Sequence, residues 1–128
     1  MFPVIELHHY VLPAHGRPIV ALIASGGMHA GLVLAEQETG CSGRVPAVRQ
    51  LDVAVDDGLA GMTREPWTMG GPATTLRWLT AHLAEWDVSL RRGQVILTGS
   101  ALPLFPVGPG SRVTAEASPL GRSSVTIE

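Results

Sequence analysis

The chain contains no lysine, no asparagine and a single cysteine, Cys41. Without lysine it has no side-chain amine to form a Schiff base, to hold pyridoxal phosphate covalently, or to complete a phosphate loop of the Gly-Lys-Ser/Thr kind. One thiol cannot close an internal disulfide. Charge is sparse: nine basic residues, all arginine, are scattered among eleven acidic ones for a net charge of -2, which leaves no electrostatic footprint for nucleic acid or an anionic membrane. No apolar run approaches the roughly 20 residues of a membrane span, and Met1-Phe2-Pro3-Val4-Ile5-Glu6 lacks the basic region of a secretion signal. The expectation is a cytoplasmic protein.

What is present suits one small domain covering residues 1–128, since 128 residues with 45% apolar content support a single core without a disulfide framework or a structural metal. Pro3 to Val11 mixes β-branched and aromatic residues with Glu6, His8 and His9 and reads as a strand. Two-residue periodicity sets Glu6 and His8 on one face and Leu7 and His9 on the other. Pro18–Ala24 is a short apolar element that periodicity alone leaves open between helix and buried strand, and Ser25-Gly26-Gly27 ends it. Gly31–Leu34 reads as a strand and Glu36–Arg44 as a polar, Gly-containing loop that holds Cys41.

Ala47–Val55 alternates into Asp56-Asp57-Gly58, a hairpin signal in which Gly supplies positive φ, and the return strand runs from Leu59 to about Thr63. The main helix is expected over about residues 72–86, with Pro72 at its first position and Leu76, Leu79, Leu83 and Trp86 as one buried stripe. Gln94–Leu97 reads as a compact strand ending in Thr98-Gly99-Ser100. Two more strands, Arg112–Ala117 and Ser123–Ile127, follow a turn at Gly108-Pro109-Gly110. The fold class is α+β: a β-dominated mixed sheet or roll with one main helix.

Among chemistry-bearing residues, Glu6 and His8 on one strand face supply a carboxylate and an imidazole, the donors that suit Mn, Fe or Zn, although a solvated edge strand accounts for them as well. His29 follows a Gly-rich turn and is a candidate base, with a solvated loop histidine as the plainer alternative. His82 falls off the helical stripe and reads as a surface residue. Thr98-Gly99-Ser100 places two hydroxyls around a glycine at a strand end, which allows close approach to a carboxylate and equally fits a simple strand-ending turn.

Taken together, Gly71-Pro72, Leu76, Trp78-Leu79, the run Leu90-Arg91-Arg92-Gly93-Gln94-Val95-Ile96-Leu97-Thr98-Gly99-Ser100, Pro106-Val107, Pro109-Gly110, Leu120-Gly121 and Ser124-Val125 resemble the C-terminal half of 2-keto-4-pentenoate hydratases. These group with 4-oxalocrotonate decarboxylases in the fumarylacetoacetate hydrolase superfamily. Pro3-Val4-Ile5-Glu6 and Leu22–Leu34 extend the resemblance upstream. It implies hydration of 2-hydroxy-2,4-dienoates in aromatic catabolism, with Mg or Mn chelating the substrate's carboxylate and 2-oxo oxygen. Glu6 then matches the last of three acidic metal ligands, His8 is an adjoining ligand candidate, His29 is the candidate catalytic base, and Thr98, Gly99 and Ser100 match the substrate-binding turn.

The other two ligands of that family form a Glu-x-Glu pair on an earlier strand that has no counterpart here, and Ser25-Gly26 replaces its Asp-Asn. A lone carboxylate does not hold Mg or Mn firmly, because these ions require several oxygen ligands. The expectation is therefore a site completed in a homo-oligomer or with a longer relative, with a small 2-oxo acid or dienoate as substrate and neither nucleic acid nor membrane as partner. The alternatives are a metal-independent isomerase, decarboxylase or binder on the same fold, and a non-catalytic subunit.

Overall fold

The structure is a computed structural model, and it describes residues 1–9, 18–35, 47–68 and 70–128. The glycine-containing loop with Cys41 and most of the segment between the first strand and the first helix lie outside the described residues. The fold is α+β and β-dominated. Its elements run β1 (Val4–His8), α1 (Pro18–Ala24), β2 (His29–Leu34), β3 (Gln50–Val55), β4 (Gly58–Thr63), α2 (Pro72–Ala84), β5 (Arg112–Ser118) and β6 (Gly121–Thr126). The strands form two antiparallel sheets, a pair β1-β2 and a four-stranded sheet in the order β4-β3-β5-β6.

The four-stranded sheet follows from simple alternation. Along β5, Val113, Ala115 and Ala117 are buried while Thr114 and Glu116 turn to the other face, as a half-buried antiparallel sheet requires. The pair β1-β2 lies over β5 and β6, where Ile5, Val113 and Ala115 form a core with Leu7, Val33, Val53, Val55 and Val125 packed against it. A second cluster joins Val48, Ala117 and Leu120 with Met1 and Leu51. The buried Ser123 hydroxyl donates to the Val33 carbonyl at 3.0 Å, tying β6 to β2.

The hairpin at Asp56-Asp57 forms as the sequence indicates, but by different residues. Both aspartates adopt positive φ, at 51° and 65°, as a type I′ turn demands, and Gly58 is already paired with Val55 in β4. Asp56 tolerates this because its carboxylate accepts the Arg112 N–H at 2.8 Å. Pro18–Ala24, left open by its pattern, is a helix.

Two expectations fail. Residues 94–100 pair with no described strand, so Gln94–Leu97 is irregular chain rather than a sheet member. The stripe on α2 is not buried: Leu79 and Leu83 are half-buried, whereas Leu76 and Trp86 are exposed. The physical reason is that α2 packs across no described strand or helix, and Pro72 is its one buried residue. The helix itself ends two residues before 86, where Asp87 takes positive φ and the Val88 N–H reaches back to the Leu83 carbonyl at 3.0 Å.

Candidate functional site

The alternation of β1 sends Ile5 and Leu7 toward the core and Glu6 and His8 to the outer face. Opposite them, the β2 register is regular through Leu7↔Gly31 and then shifts, so that His8 faces His29 and Ala30 is the extra residue of a bulge. In a regular ladder His29 would share the inward face of Gly31 and Val33. The bulge turns it onto the face of Glu6, a known use of such irregularities.

The turn before β2 fixes this arrangement. Gly26, Gly27 and Met28 all have positive φ, at 62°, 78° and 61°. Met28 is buried, its N–H bonds to the Ser25 hydroxyl at 3.2 Å, and its carbonyl accepts the His9 N–H at 2.9 Å. A non-glycine residue held in the left-handed region is strained, and such strain persists only where its surroundings over-determine it.

The outcome is a carboxylate between two imidazoles. Nδ1 of His29 lies 3.0 Å from Oε1 of Glu6, and Nε2 of His8 lies 3.5 Å from Oε2. The side chains keep 32% exposure for Glu6, 23% for His8 and 41% for His29, so the cluster is reachable from solvent. With Nδ1–H donating to the carboxylate, His29 is left with a bare Nε2 directed away from Glu6, the tautomer of a general base. His8 Nδ1 is buried with no hydrogen-bond partner.

The three residues singled out near the N-terminus therefore meet. The turn at residues 98–100 does not join them through any hydrogen bond or ion pair among the described residues. Gly99 has φ 93°, and a Cβ there would lie 3.0 Å from the Thr68 hydroxyl. Ser100 closes on its own turn, its hydroxyl 3.2 Å from both the carbonyl and the N–H of Leu102. His82 is a surface residue, stacked on Trp78 with ring centroids 5.2 Å apart and 3.5 Å from Glu85.

Among the described residues no group of three or more His, Cys, Asp or Glu side chains is placed to hold a metal ion. Glu6 meets His29 at hydrogen-bond distance and His8 at 3.5 Å, and one carboxylate with two imidazoles does not match the oxygen-rich octahedron that Mg requires. These residues by themselves do not fit a Mg centre.

No helix among the described residues is long and apolar enough to cross a membrane. No family model matches the chain. A 2-hydroxyhexa-2,4-dienoate hydratase of Comamonas testosteroni is 34% identical to it over 56 residues, a stretch that is 44% of this chain and 21% of that relative. The matched stretch spans about a fifth of that hydratase, and what this chain is similar to is accordingly part of a dienoate hydratase.

Proposed function

We propose that the chain is a hydratase-like lyase module acting on 2-hydroxy-2,4-dienoates, with His29 as the proton-transfer residue and Glu6 as the carboxylate that orients it. The observation that carries this reading is the 3.0 Å contact between His29 Nδ1 and Glu6 Oε1, which leaves Nε2 as the reacting nitrogen. The similarity to a dienoate hydratase supplies the substrate class.

Hydrating such a dienol requires two balanced transfers: the enol hydroxyl loses a proton as C5 gains one, giving the 2-oxo-3-enoate, and water then adds its oxygen to C4 and loses a proton as C3 gains one. An imidazole that cycles between base and acid performs these transfers, and a carboxylate behind it stabilises the charged form. Thr98, Gly99 and Ser100 are proposed to receive the substrate carboxylate. This requires Ser100 to exchange its contacts with Leu102 for the ligand.

The test is to follow loss of the conjugated dienoate absorbance with purified chain and to identify the product. The expected result is a 4-hydroxy-2-oxo acid, with His29→Ala lowering the rate by about 10²-fold or more and Glu6→Gln lowering it less. Formation of the unsaturated 2-oxo acid without a 4-hydroxyl, abolished by His29→Ala, would identify a metal-independent isomerase, which the same Glu6–His29 pair supports. A rate unchanged in His29→Ala would defeat both.

A further inference from the structure

Of the three side chains in the cluster, His8 takes no part in the chemistry proposed for His29 and Glu6. Its Nδ1 is buried and meets no hydrogen-bond partner, and among the described residues it is the one buried side-chain nitrogen or oxygen in that condition. Its Nε2 faces Oε2 of Glu6 at 3.5 Å, and 23% of the side chain is exposed. Buried polar atoms are ordinarily paired, so an orphan asks for an explanation. Here it decides where the proton of the ring sits.

A neutral imidazole carries one N–H and one bare nitrogen. With the proton on Nδ1, that N–H would be buried without an acceptor, and the lone pair of Nε2 would face a carboxylate oxygen. Desolvation disfavours the first of these and Coulomb repulsion the second. With the proton on Nε2 the N–H faces Oε2 instead. At 3.5 Å this is longer than an ideal hydrogen bond, yet its sign is attractive, and only a lone pair is left buried. His8 is therefore the Nε2–H tautomer, the opposite of the Nδ1–H form of His29.

Opposite tautomers divide the work around Glu6. By register Glu6 lies between Val4 and His8 on its own face of β1 and across from Leu32 on β2, and α1, β1 and β2 contain no arginine. Among the described residues its carboxylate meets the two imidazoles and no other polar side chain. His29 engages Oε1 at 3.0 Å and keeps a bare Nε2, with 41% of its side chain exposed. The bare nitrogen of His8 is buried, so His8 has no reachable lone pair with which to take a proton from substrate. Its N–H can still fix the other end of the carboxylate.

We infer that His8 is the positioning residue of this centre: its Nε2–H holds Oε2 of Glu6, which keeps Oε1 on Nδ1 of His29 and leaves His29 alone to exchange protons with substrate. The part played in turnover rests on the function proposed above; the placement of the proton on His8 does not. The β-bulge serves the same arrangement, because the shift between Leu7 and His8 sets His29 opposite His8 and brings both rings to one carboxylate.

Nitrogen NMR of the full chain on the alkaline side of the ordinary imidazole range, at about pH 8.5, reads the two tautomers without substitution or substrate. The expected result is a proton on Nε2 of His8 and on Nδ1 of His29. A proton on Nδ1 of His8, or an even mixture there, would overturn the inference.

Two variants separate positioning from packing. His8→Phe keeps a ring and removes both nitrogens; Glu6 is then free to turn, the Nδ1–H form of His29 should give way to a mixture, and kcat for dienoate hydration should fall about tenfold with KM little changed. His8→Gln returns an N–H donor and should recover most of both. A His29 spectrum and a rate indifferent to His8→Phe would defeat the inference. Equal losses in the two variants would do so too, by making ring shape rather than the N–H the cause. Opposite tautomers and the His8→Phe shift in a chain that turns over no dienoate remove the hydratase reading and leave His8 as the residue that positions Glu6; turnover by a chain whose His8 carries its proton on Nδ1 does the reverse.

Discussion

In the four-stranded sheet Val113, Ala115 and Ala117 turn inward and Thr114 and Glu116 turn outward, whereas the β1-β2 pair carries apolar side chains on both faces and sets a charged cluster among them. The two regions obey the same alternation, so the difference lies in what each face meets. The larger sheet is finished by its own chain: β1-β2 covers one side and solvent suits the other. The smaller pair is finished on one side only. Its ladder bulges at His29, beside three consecutive left-handed residues; in the larger sheet the β3-β5 and β5-β6 ladders run without a shift, and the β3-β4 ladder shifts between Val53 and Ala54. The shift in β1-β2 is the one that brings a histidine onto the face of Glu6.

The largest effect expected from breaking this contrast comes from charging the finished side. Val113→Asp places a carboxylate in the cluster with Ile5 and Ala115, with no partner to hydrogen-bond it, and should remove about 3–5 kcal/mol of stability. Urea denaturation measures it, and a loss below about 1 kcal/mol would show that this core is not what holds the sheets together.

Gly61→Ala ranks next. The added methyl would sit 2.6 Å from the Phe105 ring, so the ring must move off the sheet, at a cost of about 1–3 kcal/mol in the same experiment. Ser123→Ala follows at about 1–2 kcal/mol, because it leaves the Val33 carbonyl without the hydroxyl that joins the sheets. If Ser123→Ala is neutral, the pairing of the two sheets rests on apolar contact alone.

Much of the packed region was readable from residue order. Val113 to Ala117, the Asp56-Asp57 turn and the start of α2 at Pro72 follow from local periodicity and turn chemistry, and the structure holds them within a residue or two. The sharing of a face by Glu6 and His8 was also local. That His29 joins them was not legible, because the bulge at Ala30 is a property of the pairing between β1 and β2 rather than of either strand. The segment at residues 94–97 misled for the opposite reason: Val95, Ile96 and Leu97 look like a strand whether or not an edge is free to receive them. The α2 stripe misled likewise, since a pattern at Leu76, Leu79, Leu83 and Trp86 specifies which face would pack but not that anything packs there.

The smallest expected change in stability belongs to the cluster itself. Glu6 is 32% exposed and its two contacts are partly wet, so Glu6→Ala should alter stability by less than about 1 kcal/mol. The effect on His29 should nonetheless be plain. With the carboxylate present, Nδ1 carries the proton and Nε2 is free; without it, the neutral ring loses its reason to keep that tautomer, and nitrogen NMR should record a shift of the proton toward Nε2. His82, on α2 and paired with Glu85, serves as the internal reference and should not change. An unaltered His29 spectrum would mean that the bulge and the Gly26-Gly27-Met28 turn deliver the imidazole without Glu6 directing it, and the irregular region would then be shape without chemistry. A shifted spectrum on an intact fold would show the opposite division of labour from Val113→Asp: one sheet spends its side chains on holding together, the other on holding a proton in place.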